Sequence, residues 1–239
     1  MLIWRNMGLN KKNFQRFVSK EATKIDTGFI SDVIHKIKNG LGGIGGFAAL
    51  IDRDMQENDP NKRLIKSIQD GVKKVNEIAI TLMMIVRDLE PNMERIELKS
   101  FFKEIRIPKE YTNSGRGYII KPEINNGSIK ISADPDFLQK MILYMIRFIE
   151  KVEAKVDRIF VDVVNKKRCC VEFYVSEKDE SVNLDENLSR LIKSSEPLEA
   201  RLYLGVAEKL VKLFNGDIYF ESSRKGDKRF IIRFNCRSV

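Results

Sequence analysis

The chain has few residues that bind metals: one histidine and three cysteines among 239 residues. The cysteines are Cys169, Cys170 and Cys236, and their spacing does not match that of zinc ligands. A single histidine also excludes a histidine-rich zinc site. The cysteines fit structural thiols in a reducing compartment. No apolar run approaches the roughly 18 residues that a membrane span requires, and the short apolar start, without a small-residue cleavage pattern, leads us to expect no signal peptide. We therefore expect a cytoplasmic globular protein without a metal site or a membrane segment.

The charge balance is basic, with 43 Lys and Arg against 34 Asp and Glu, a net charge of +9. Such an excess favours nucleic acid, an anionic membrane surface or an acidic protein as partner, although a solvated basic surface also accounts for it. Basic residues are not interleaved with aromatic ones, and no helix-turn-helix or zinc-finger spacing occurs. We therefore expect no nucleic-acid partner and favour an acidic protein.

Two heptad seams occupy the first half of the chain, and each predicts a helix packed in a bundle. The first comprises Ile30, Ile34, Ile37, Leu41, Ile44, Ala48, Ile51 and Met55, and the second comprises Ile65, Ile68, Val72, Val75, Ala79, Leu82 and Val86. Pro60 lies in the turn between them, and Pro91 ends the second. A lone antiparallel hairpin buries too little apolar surface, so we expect two copies to form a four-helix bundle.

The second half predicts an α/β sandwich, with a mostly antiparallel sheet and helices on one face. Its predicted strands are 118–120, 128–131, 158–164, 170–175, 217–222 and 229–234, and its predicted helices are 137–152 and 202–214. The first two strands flank an Asn-Asn-Gly turn and are expected to pair. Residues 176–200 are polar. The predicted domains are a lead-in over 1–26, a helical hairpin over 27–91 and an α/β domain over 92–239.

The single histidine, His35, falls just beside the first seam and is expected to be exposed. Asn39 follows one helical turn later, over the same patch of surface as Lys38. Imidazole titrates near neutrality, so an exposed histidine offers a neutral nucleophile at physiological pH. Lys36 and Lys38 would attract a phosphoryl group and the acidic pocket of a donor or acceptor. A surface histidine without a function is the alternative.

Five glycines follow His35 within residues 40–46. Each destabilises a helix by roughly 1 kcal/mol relative to alanine. Because the heptad pattern continues through all five, we infer that the glycines provide a benefit that offsets this cost. We interpret Gly42 and Gly46 as bare backbone that lets a partner protein approach closely, and the alternative is that the glycines break the helix. The Gly-x-Gly-x-x-Gly spacing here is not preceded by a buried strand, so a dinucleotide site is not expected.

Residues 29–41, Phe-Ile-Ser-Asp-Val-Ile-His-Lys-Ile-Lys-Asn-Gly-Leu, resemble the H-box of sensor histidine kinases, usually His-Glu/Asp-x-x-Asn-Pro-Leu. The glycine-rich continuation is similar to the nitrogen-regulation type of that helix. The resemblance implies that His35 accepts a phosphoryl group. It also implies that Asn39 is the supporting polar residue, which the family links to the positioning of water and to dephosphorylation of the receiver. The chain departs from the family at Lys36, where an acid normally serves as general base for autophosphorylation, and at Gly40, where proline is usual.

The resemblance continues more weakly into a degenerate ATPase-like domain. The family's N-box helix offers two asparagines to Mg²⁺ and phosphate, but Tyr144 and Phe148 stand at those places and carry no amide oxygen. The adenine-reading loop, usually Asp-x-Gly-x-Gly, corresponds to residues 176–182, which contain no glycine. The later glycine-rich turn, residues 200–207, retains one glycine. We therefore expect no ATP binding and no cofactor, with Mg²⁺ entering only through a partner receiver domain.

Together these features predict a dimeric histidine phosphotransferase of a bacterial two-component phosphorelay. It would exchange phosphate with response-regulator receiver domains through His35, without ATP-dependent autophosphorylation. Two alternatives remain: a non-enzymatic pseudokinase that acts as a scaffold or inhibitor, and a divergent active kinase or receiver phosphatase.

Overall fold

The computed structural model describes residues 27–103, 105–107, 118–121, 123–124, 130–164, 168–177, 179, 183–194, 197–222 and 227–235. The predicted lead-in segment and Cys236 lie outside these residues. The chain divides into two compact units, one covering Ala22–Leu89 and the other including Glu90–Val239. Among the described residues, no helix combines the length and apolar character needed to cross a bilayer.

The first unit is the predicted hairpin, made of α1 (Thr27–Asp54) and α2 (Lys62–Val86). The Asp59 carboxylate accepts a hydrogen bond from the Asn61 backbone N–H at 2.8 Å and stabilises the turn between the helices. Helix α1 runs unbroken through all five glycines, so the alternative that they break it is wrong. At Gly45 a Cβ atom would lie 3.3 Å from Val72 Cγ1, which makes this glycine a point of close helix contact.

Nine strands belong to the described residues of the second unit. Strand β1 (Glu94–Glu97) pairs with β5 (Lys130–Ala133), and β2 (Ile105–Ile107) pairs with β3 (Tyr118–Ile120). The larger sheet has the order β4-β6-β7-β9-β8, from β4 (Glu123–Ile124), β6 (Ala154–Val164), β7 (Arg168–Glu177), β8 (Asp217–Ser222) and β9 (Lys228–Asn235). Only the β4–β6 pair in that sheet is parallel, so the predicted, mostly antiparallel sheet is confirmed.

The predicted hairpin between residues 118–120 and 128–131 is wrong. The first of these strands pairs with β2, and the second with β1, where Ile96 and Ile131 are opposite each other and both buried. The Asn-Asn-Gly signal is local, whereas the observed pairing buries apolar side chains that are distant in sequence.

The helices of this unit are α3 (Leu98–Phe101), α4 (Pro135–Lys151), α5 (Leu184–Ser194) and α6 (Leu198–Leu213). Helix α4 has the predicted cap: the Asp134 carboxylate accepts hydrogen bonds from the backbone N–H groups of Phe137 at 2.9 Å and Asn92 at 2.7 Å. Helix α6 ends as predicted, before Gly216. A Cβ atom at Gly216 would lie 2.4 Å from the Arg233 carbonyl oxygen, so only glycine fits the turn into β8.

Helix α5 lies within the polar stretch 176–200, where no element was predicted. Its leucines, Leu184, Leu188 and Leu191, are spaced four and three apart and are buried. The Asn183 side chain accepts a hydrogen bond from the Glu186 backbone N–H at 3.2 Å, as an N-cap does. Both signals are present in the sequence. Three leucines among many charged residues, however, give an amphipathic pattern too weak to predict a helix.

Candidate functional site

The seam positions of the hairpin differ in burial. Four of them are buried because they pack between the two helices: Ile34 and Ala48 on α1, each 3% exposed, and Ile65 (8%) and Ala79 (4%) on α2. Five other seam positions are exposed. They form the apolar flank, which consists of Ile37 (45% exposed), Ile44 (51%), Ile51 (48%), Ile68 (45%) and Val75 (43%).

The five residues of the apolar flank share one side of the hairpin. Ile37 follows the buried Ile34 by three residues, and Ile68 follows the buried Ile65 by three. In an antiparallel pair of helices, residues that follow a contact position by three lie on the same side of both helices. The unit therefore presents a continuous apolar strip to solvent, of a kind that marks an interaction site.

His35 lies on the opposite side of α1 and is exposed. Consecutive helical residues are rotated by about 100°, so His35 and Ile37 are about 200° apart around the helix. The same offset of two residues separates Gly42 from Ile44. His35, Asn39, Gly42 and Gly46 are spaced four, three and four apart, are all exposed, and form one stripe, the histidine flank.

The two lysines near His35 occupy different positions. Lys38 follows the buried Ile34 by four residues and is half-buried beside α2. Lys36 follows Ile34 by two residues, about 200° around the helix, and is exposed on the side away from α2. Of the two predicted partner-binding lysines, Lys38 is thus the one that lies between the histidine flank and the second helix.

The glycines beside His35 leave open space on the helix surface. Cβ atoms built at Gly40, Gly42, Gly43 and Gly46 would meet no atom within 4 Å, whereas Gly45 faces α2. A neutral imidazole on this flank could attack an electrophilic phosphorus atom brought to it, since the described residues leave the approach open.

In the second unit, Phe148 occupies one of the two places where the resemblance puts a magnesium-binding asparagine. Its ring is completely buried and lies edge-on to Phe230, with the ring centroids 5.4 Å apart. Ring carbons cannot supply the oxygen ligands that Mg²⁺ requires. The ring packs the core between α4 and the sheet.

Tyr144 occupies the other asparagine place and lies 5.9 Å, ring centroid to centroid, from Tyr203 of α6. The guanidinium carbon of Arg147 is 5.3 Å from the Tyr144 ring centre and 5.4 Å from the Tyr203 ring centre. All three side chains are at most 7% exposed. This cation–π stack packs α4 against α6 at the two segments where the family binds the phosphates.

An ion-pair cluster lies at the end of β7, where the loop expected to read adenine begins. Glu177 Oε1 accepts hydrogen bonds from Lys228 Nζ at 2.7 Å and from the Leu184 backbone N–H at 3.0 Å. These bonds hold the pKa of Glu177 below its usual value. Lys228 Nζ also lies 3.1 Å from Asp185 Oδ2, and so fixes the start of α5 to the sheet. At the two N-box places of α4, Tyr144 and Phe148 thus present aromatic rings instead of the amide oxygens that would hold Mg²⁺.

The two described cysteines lie in an environment typical of structural thiols. Cys169 and Cys170 are both buried thiols. Burial, followed by the negative charge of Glu172, raises the pKa of Cys170 to about 11, so the reactive thiolate is scarce at neutral pH. Within the described residues, no group of three or more histidine, cysteine or acidic side chains is placed to hold a metal ion.

The fold is that of a histidine kinase core, which confirms the predicted resemblance at the level of structure. Full-length ShkA in complex with AMPPNP matches 90% of this chain and 47% of its own, with a TM-score of 0.65 and 10% identity. Histidine kinase ThkA in complex with response regulator protein TrrA matches 95% of this chain and 67% of its own, with a TM-score of 0.53 and 15% identity.

Sequence comparison gives a more distant similarity. The sensor protein kinase PilS of Pseudomonas aeruginosa is 22% identical over 117 residues, which are 48% of this chain and 22% of PilS. The chain therefore spans about a fifth of the length of this curated relative. No family model matches the chain.

Proposed function

We propose that this protein is a dimeric, cytoplasmic histidine phosphotransferase that exchanges phosphoryl groups with a response-regulator receiver domain through His35. The observation that carries the proposal is the contrast between the two units. The histidine flank is open to a partner, whereas aromatic rings fill the places at which an ATP-dependent kinase would hold nucleotide and metal.

The exchange can be written with balanced charges. The lone pair of an imidazole nitrogen attacks the phosphorus of an aspartyl phosphate, the P–O bond breaks, and the carboxylate leaves with the bonding pair. The product is a phosphorylated imidazolium, which returns the phosphoryl group to another aspartate by the reverse step. Lys38 and Asn39, within one turn of His35, supply positive charge and a hydrogen-bond donor for the phosphoryl oxygens. No ATP and no metal on this chain are required.

The apolar flank supports the dimer of this proposal. It lies about 200° from His35 on α1, so a second copy that packs against it leaves the histidine flank free for the receiver. The basic excess of the chain complements the acidic pocket of a receiver.

A phosphoryl-transfer assay tests the proposal directly. The protein is mixed with a phosphorylated receiver domain, and acid-labile phosphate is measured on wild type and on His35→Ala. We expect label on wild type and at least a thousandfold less on the variant, since removal of a nucleophile abolishes the covalent step. No label on wild type would reject the phosphotransferase. Tight receiver binding without label would favour the scaffold, and label from ATP alone would favour the kinase.

Substitution of Gly46 by leucine separates partner docking from stability. Leucine is a better helix former than glycine by roughly 0.8 kcal/mol, so Gly46→Leu should stabilise the hairpin. The added side chain should also obstruct an approaching receiver and slow transfer by about ten- to a hundredfold. The measurements are thermal unfolding and the transfer assay.

Gly40→Leu is the matched control for the docking prediction. Gly40 is equally open but lies outside the histidine flank, so this variant should gain the same stability and keep the wild-type rate. Because Gly40 follows Ile37 by three residues and adjoins the apolar flank, the oligomeric state of both variants is measured alongside. Equal rates for both variants would show that the partner does not approach over Gly46.

A further inference from the structure

Polar groups within one helical turn of His35 determine which of its ring nitrogens carries the proton. Asp32 precedes His35 by three residues on α1, a spacing that places their Cβ atoms about 5–6 Å apart. Both residues are exposed, and in the part of the chain that the structure describes neither forms a hydrogen bond or an ion pair. The carboxylate is therefore available to the imidazole on rotation of either side chain.

The direction of side chains on a helix favours Asp32 over the residues that follow His35. Cα–Cβ bonds tilt toward the helix N-terminus, so a long side chain leans over the turn that precedes it. The imidazole of His35 thus leans toward Ser31 and Asp32. The Ser31 hydroxyl is already engaged, since it donates to Met83 Sδ at 3.6 Å. Asp32 is the acceptor that remains.

We propose that Asp32 is a positioning residue for His35, and this inference rests on the proposed function of that histidine. The Asp32 carboxylate accepts a hydrogen bond from Nδ1–H and so leaves the lone pair of Nε2 free for attack. When Nε2 bonds to phosphorus and the aspartate of the receiver departs with its electron pair, Nδ1 keeps its proton. The ring becomes positively charged, and the adjacent carboxylate stabilises that charge.

Lys36 cannot play this part, because an ammonium group has no hydrogen-bond acceptor. Among the described residues, the other carboxylate near this level of the hairpin is Glu77 on α2. The Ser31–Met83 and Gly45–Val72 contacts place residues 79–82 opposite His35, so Glu77 is within about one turn of it. Glu77 is accordingly the matched comparison for Asp32.

The single histidine of the chain allows a direct test that needs no partner. The protein is labelled with ¹⁵N-histidine and studied at a pH at which the imidazole is neutral. The nitrogen resonances then report the tautomer of His35, because the chain has no other histidine. We expect Asp32→Asn to lower the ratio of the Nδ1–H to the Nε2–H tautomer roughly two- to fivefold, the range for an exposed charge interaction. Asp32→Glu should retain most of the wild-type ratio, and Glu77→Gln should leave it unchanged. An unchanged ratio in Asp32→Asn, or a larger change in Glu77→Gln, would overturn the assignment.

The rate of phosphoryl transfer from a phosphorylated receiver provides the second readout. Asp32→Asn should slow transfer about two- to fivefold, and Asp32→Glu should restore it. Asp54→Asn, which removes an exposed charge from the far end of the same helix, should not affect it. If wild type takes no phosphate, the proposed function fails while the tautomer ratio still decides the role of Asp32. If wild type is labelled and Asp32→Asn transfers at the same rate, the positioning role fails alone.

Discussion

Phe148→Asn is expected to unfold the second unit rather than to restore a metal ligand. The phenylalanine ring is completely buried against Phe230, and removal of such a ring costs about 3–5 kcal/mol. The new amide would add about 1–3 kcal/mol if its polar atoms found no partners. The sum approaches the whole stability of an ordinary domain, about 5–15 kcal/mol. Chemical denaturation followed by circular dichroism measures the loss.

Ile119→Asn is the control for the Phe148 prediction, because Ile119 belongs to the same unit and is 56% exposed. The free energy of unfolding of the Ile119→Asn variant should remain within about 0.5 kcal/mol of that of wild type. Mg-ATP should not raise the melting temperature of wild type, since a ligand stabilises only the state that binds it. A stable Phe148→Asn protein, or one that gains melting temperature with Mg-ATP, would contradict our account of a core closed by aromatic rings.

Ile44→Glu is expected to convert the proposed dimer into a monomer. Ile44 is at the middle of the apolar flank and 51% exposed in the single chain. In a two-fold dimer each substitution enters the interface twice. If each buried carboxylate costs about 2 kcal/mol, as a central interface residue does, the dissociation constant rises roughly a thousandfold. Analytical ultracentrifugation over a concentration series measures this constant.

Ala49→Glu is the matched control for the dimer prediction. Ala49 is exposed on α1 and precedes Ile51 by two residues, as His35 precedes Ile37, so it lies away from the apolar flank. The control adds the same charge and should leave the dimer intact. Dissociation of both variants to the same extent would place the interface elsewhere.

The hairpin was the most predictable part of the fold. Fifteen apolar positions in two heptad seams define both helices, and this periodicity held through the glycines because packing along the seam offsets their cost. Which seam positions are buried and which are exposed was not predictable, since a and d spacing alone does not say which positions meet within one chain.

The second unit was less predictable because its determinants are distant in sequence. The Asn-Asn-Gly turn near residue 126 suggested a local hairpin, but burial of Ile131 opposite Ile96 determined the pairing. Substitution of the N-box amides at Tyr144 and Phe148 was visible in the sequence. That Arg147 would lie between Tyr144 and Tyr203 was not, because Tyr203 belongs to another helix.

The histidine flank and the apolar flank of α1 both repeat every seven residues. His35 and Gly42 of the first precede Ile37 and Ile44 of the second by two residues. A point substitution can alter either flank without touching the other, so the proposed receiver-binding and dimerisation surfaces can diverge independently in evolution. A one-residue insertion or deletion between His35 and Ile51 has a different outcome, because it rotates all later positions by about 100°. Length polymorphism in this stretch should therefore be much rarer among descendants of this chain than amino-acid replacement.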